Sequence, residues 1–64
     1  MSEPKRYAVN PESLQGCRLR VLFHFKELQR EQNPFLRANI AEYLAEAASD
    51  LARLEAKEAN KTAP

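Results

Sequence analysis

What this chain lacks narrows it before anything else. It has one cysteine, Cys17, so no disulfide can close within it. One cysteine with one histidine also falls short of a structural zinc site. The single glycine, Gly16, leaves no glycine-rich phosphate loop, and no Glu-x-x-His pairing occurs anywhere. No apolar run approaches the ~20 residues that a membrane span needs. The opening MSEPKRYAVN has no apolar stretch of the secretory kind. Charge is nearly balanced, with 10 Lys and Arg against 9 Asp and Glu, too even to point to nucleic acid or an anionic membrane by itself. These features set the expectation of a cytoplasmic, non-enzymatic protein with no membrane association and with no cofactor or metal.

With 64 residues the chain makes at most one domain. A chain this short hides only about 60% of the surface it exposes when unfolded, and a lone core is then marginal without a staple. Disulfide and zinc being excluded, self-association is the remaining route, and a homodimer is expected.

What the chain does have is helical rhythm. Ala38, Ala41, Ala45, Ala48, Ala52 and Ala59 recur at steps of three and four, with Glu55/Ala56 in the one long gap. Residues so spaced share one side of an α-helix. A second row, Leu36, Ile40, Tyr43, Ala47, Leu51 and Leu54, follows the same rhythm about a third of a turn away. One helix thus carries a flat seam beside a bulky one.

Asn33-Pro34 marks the start of that helix: an N-cap oxygen, then proline where no amide hydrogen is needed. It is expected to run from about residue 34 to 59, with 60–64 frayed. Asn10-Pro11-Glu12 carries the same start signal and predicts a first helix over about 11–31, preceded by a flexible or extended arm, 1–9. Gly16 either frays the first turn, receives another backbone at close range, or is a tolerated glycine. Leu14, Cys17, Val21, Phe25 and Leu28 form one face of helix 1, expected to pack against Ile40, Leu44 and Leu51. Glu42/Glu46 and Asp50/Arg53/Lys57 are placed on the solvent face. The fold class that follows is all-α, an antiparallel two-helix hairpin that dimerises into a four-helix bundle. Leu22 with Ala41, Ala45, Ala48 and Ala52 is expected at the dimer interface.

Candidates for chemistry are few. Cys17 and His24 share a face but stand about 10 Å apart along the axis, beyond hydrogen-bond reach, so a nucleophilic pair is not expected. Cys17 reads as a small core residue and His24 as a boundary residue. The better functional candidates are Leu19, Arg20, Phe23, Lys26 and Arg30, an aromatic set beside basic groups, which is the composition of a protein-binding hot spot. The expected function is a small regulatory or adaptor protein that binds another macromolecule, a protein partner first, through the hairpin surface. A different reading aligns Arg18, Arg20, Lys26 and Arg30 with Lys5 and Arg6 as a positive stripe in a dimer that pairs two copies of helix 1, and has Phe23 and Tyr7 stack on the bases of RNA or single strands.

The segment Ala38-Asn39-Ile40-Ala41-Glu42-Tyr43-Leu44, followed by Ala48, Leu51 and Arg53, resembles the second helix of Rop-type proteins. The resemblance implies a hairpin that dimerises into a four-helix bundle and binds paired RNA loops. The chain departs from that pattern by a longer interhelix connection and by Pro34. Arg6 to Val9 followed by Asn10-Pro11-Glu12 is similar to the opening of ribbon-helix-helix repressors. That likeness implies DNA binding, with Lys5, Tyr7 and Val9 facing the major groove.

Overall fold

A computed structural model describes residues 10–62, and the expected arm, 1–9, lies outside them together with 63–64. Two helices make up the described fold, α1 over Leu14–Arg30 and α2 over Pro34–Thr62. They fold back on each other as an antiparallel hairpin, so the all-α hairpin expected from the sequence is the observed architecture.

The start of α1 differs from expectation. Asn10, Pro11 and Glu12 do not open the helix; they form a turn before it. The Ser13 amide donates to the Asn10 carbonyl oxygen at 3.0 Å, and the Glu12 amide to Asn10 Oδ1 at 2.9 Å. Ser13, in an extended conformation, is the residue that caps α1, its Oγ accepting from the Gly16 amide at 3.0 Å. The same hydroxyl donates to the Asn10 carbonyl oxygen at 2.7 Å, which locks turn and cap together. Gly16 is buried beneath that turn. A Cβ there would overlap the Asn10 carbonyl oxygen and stand 2.7 Å from the Pro11 Cα, so of the three readings the close backbone approach is the one observed.

Glu31 ends α1 in an extended conformation, its amide still donating to the Glu27 carbonyl oxygen at 3.0 Å. Asn33 starts α2 as the sequence indicated. Its Oδ1 accepts from the amides of Phe35 and Leu36 at 2.9 and 3.3 Å, with Pro34 in the first helical position. From α2, Arg37 Nη1 reaches back to the carbonyl oxygens of Leu28 and Glu31, at 2.6 and 2.7 Å. A cation there satisfies carbonyls that have no partner within α1 and sits at the negative end of its dipole.

Helix α2 runs past the expected end at residue 59 to Thr62, whose hydroxyl donates back to the Glu58 and Ala59 carbonyl oxygens. Its 29 residues give it a length of about 43 Å, against about 26 Å for the 17 residues of α1.

The seam between the helices is narrow. Among the described residues the fully buried hydrophobic side chains are Cys17 and Ala47. Val21 and Leu28 of α1 and Ile40, Leu44, Leu51 and Leu54 of α2 are half-buried beside them. A half-covered Leu or Ile contributes roughly 1 kcal/mol of hydrophobic stabilisation. Phe25 is not in the seam; it is 47% exposed, and His24 takes the inward position. The correction has a simple cause: consecutive residues of a helix point about 100° apart.

Candidate functional surface

Ion pairs orient the hairpin. Arg18 and Arg20 are about 200° apart around α1 and so reach α2 along opposite sides. On one side Arg18 holds Glu55 through two parallel bonds, Nε to Oε2 at 2.7 Å and Nη2 to Oε1 at 3.1 Å. The contact lowers the Glu55 carboxyl from its ordinary range, the Arg18 hydrogen bond being the main cause, and raises the Arg18 guanidinium for the same reason.

On the other side both Arg20 Nη atoms stand 3.4 Å from Asp50 Oδ2, and Arg53 Nη2 donates to Asp50 Oδ1 at 2.8 Å. Asp50 is therefore not on an open solvent face as the sequence suggested, but half-buried between two arginines. Its carboxyl is held below the ordinary value by the Arg53 hydrogen bond first, with Arg20 adding to it. This Arg20 side carries its ion pairs near the turn before α1 and the His24 and Tyr43 rings further along. A hollow of about 590 Å³ lies there between the Asn10–Ser13 turn and α2, with Cys17 at its base and Arg20, Asp50 and Arg53 on its wall. Further along, His24 Nδ1 lies 2.9 Å from Glu27 Oε1, and its ring stands 5.9 Å from that of Tyr43.

The outer surface of α1, turned away from α2, is different. Leu19, Leu22 and Phe23 are 46, 48 and 58% exposed and lie side by side. With Arg20 and Lys26 they border a shallow hollow of about 410 Å³ that is almost entirely apolar. Arg30 is exposed one turn beyond Lys26. Of the candidate binding residues the structure thus brings Leu19, Phe23 and Lys26 together, adds Leu22, and turns the Arg20 guanidinium inward to Asp50. Arg18 and Arg20 are engaged with carboxylates on opposite sides, and among the described residues only Lys26 and Arg30 of the four helix-1 cations are in no ion pair. Lys5, Arg6, Tyr7 and Val9, invoked for RNA or DNA contact, lie outside the described residues.

The flat alanine row is open: Ala41, Ala45, Ala48 and Ala52 are all exposed. Phe35, which sequence reasoning passed over, is the most exposed large hydrophobic among the described residues, at 81%. The available signal was its place directly after Pro34, in a first helical turn that lies beyond the end of α1. No described helix is long and apolar enough to cross a membrane. Among the described residues no three His, Cys, Asp or Glu side chains are grouped to hold a metal ion. Comparison of the chain with family models, with curated proteins and with solved structures gave no match.

Proposed function

We propose that the chain is a small, non-enzymatic adaptor or regulatory protein, acting as a homodimer, that binds another protein through the outer surface of α1. The observation that carries this reading is the apolar hollow on α1 bordered by Leu19 and Phe23, both about half exposed, and edged by Lys26. Exposed apolar side chains scattered singly need no explanation, whereas a contiguous set around an aromatic, with a basic rim, is what a docking protein desolvates. The engagement of Arg18 and Arg20 with α2 supports a protein partner over nucleic acid, because it removes half of the helix-1 cations from phosphate contact.

The experiment is affinity capture from extract of the native cells, with and without nuclease, by the parent chain and by Phe23→Ala. A protein partner retained after nuclease, little changed by added salt and lost with Phe23→Ala, is the expected result. Retention that disappears with nuclease and falls steeply with salt would replace this reading by RNA or DNA binding, with Phe23 stacking on bases between Lys26 and Arg30.

A further inference from the structure

We infer that the chain pairs with a second copy of itself across its Arg18 side, α1 of each copy lying on α2 of the other. This rests on the self-association proposed above and adds the face used and the way the helices cross over.

The two long sides of the hairpin are unequal. The Arg20 side carries charge along much of its length, Arg20, Asp50 and Arg53 and then the His24–Glu27 pair, with the Tyr43 ring beside His24. Helical periodicity places on the Arg18 side a span free of charge, from the Arg18–Glu55 pair at one end to Arg37 at the other. Within it α1 presents Leu22 and Phe25, 48 and 47% exposed, and α2 presents the exposed Ala41, Ala45 and Ala48. One helix of this face is bulky and its neighbour is flat.

That contrast selects the occupant. A two-fold axis along the bundle sets the bulky helix of each copy on the flat helix of the other, so Leu22 and Phe25 fill the space that the second copy's alanines leave open, twice over. A two-fold axis across the helices sets bulky on bulky and flat on flat, which spreads one helix pair and leaves the other under-packed. The first arrangement also keeps every residue at its own height along the bundle. Each Arg18 is then level with two Glu55 carboxylates, its own and the second copy's. The face is about 27 Å long and about 20 Å wide, roughly 500 Å² per copy as a flat projection, so the pair together reach the ~1,000 Å² that a specific interface requires.

The arrangement has a functional result. The two Phe23 surfaces lie on opposite flanks of the four-helix bundle and face away from each other, so one dimer bridges two partner molecules.

The test begins with sedimentation of the unmodified chain, then uses cross-linking in a Cys17→Ala background. Dimeric mass is expected, and Ala45→Glu, a change exposed in the single hairpin, is expected to shift the dimer to monomer at the same concentration. Mixing Leu22→Cys chains with Ala48→Cys chains by unfolding and refolding is expected to give a disulfide-linked heterodimer under mild oxidation. Either variant alone is expected to link at least tenfold more slowly. Fast linking of Leu22→Cys or Ala48→Cys with itself would overturn the crossed arrangement and leave self-association standing. A monomer of unchanged helicity at high concentration would overturn both.

Discussion

Arg18 and Glu55 stand 37 positions apart in the chain yet meet in a two-bond ion pair, with Nε at 2.7 Å from Oε2. The pair clamps the early part of α1 to the late part of α2 and fixes which flank of each helix faces the same way. It also makes a titration prediction. The Glu55 and Asp50 carboxyls both have folded values below their ordinary ones, so between the two values the unfolded chain holds more protons. Their stabilising contribution is complete above the ordinary carboxylate range. It is lost as pH falls through their lowered folded values, that is, below roughly pH 4. Side-chain carboxyl NMR is expected to show Glu55 returning towards its ordinary titration in Arg18→Gln. Asp50 is expected to move further up in Arg53→Gln than in Arg20→Gln.

Gly16→Ala reverses a familiar rule. Alanine at an ordinary mid-helix position stabilises by about 1 kcal/mol relative to glycine. Here the new methyl meets the backbone of Asn10 and Pro11, which cannot swing aside as a side-chain tip does. The expected net loss is about 1–3 kcal/mol, with the Asn10–Ser13 turn displaced. Urea unfolding at fixed protein concentration measures the first, and amide shifts of Glu12 and Ser13 the second.

Arg37→Met keeps most of the side chain's length and removes its two bonds to the Leu28 and Glu31 carbonyl oxygens. The expected cost is about 1 kcal/mol, because these groups are open to water that takes over part of the bonding. Hydrogen exchange of amides in the last turn of α1 is expected to speed up, while exchange in the middle of α2 stays unchanged.

Ala47→Leu adds bulk where α2 has no exposed surface left. About 1–3 kcal/mol of destabilisation is expected, from forcing the helices apart. The same change at Ala45, which is exposed, is expected to leave the isolated hairpin's helicity alone, and circular dichroism on both variants checks the contrast.

Much of the fold was legible from local chemistry. Asn33-Pro34 marked the start of α2 because cap and proline act within a few residues and need no tertiary partner. The bulky row of α2 was legible in part: Ile40, Ala47, Leu51 and Leu54 are covered, whereas Leu36 and Tyr43 of the same row are 47 and 57% exposed. Asn10-Pro11 misled because two capping residues lie three apart. Ser13 wins the cap, and Asn10 serves the turn before it. The inward face of α1 was harder to read. Apolar residues surround much of that helix, so hydrophobicity alone ranks Phe25 above His24. In the observed rotation Arg18 and Arg20 meet Glu55 and Asp50 on opposite sides, and those partners lie far along the chain. For the candidate site, Leu19, Phe23 and Lys26 followed from spacing, while the inward commitment of Arg20 depended on a residue 30 positions away.

The turn ahead of α1 has a consequence for its neighbour's reactivity. Cys17 is only 1% exposed, its thiol pointing to the Pro11 carbonyl oxygen at 3.8 Å with the Arg20 guanidinium 3.7 Å away. A thiol reagent reaches the sulfur only when that cover lifts. The alkylation rate of this one atom is therefore a clock for the breathing of the hairpin's open end, readable without any label being engineered in.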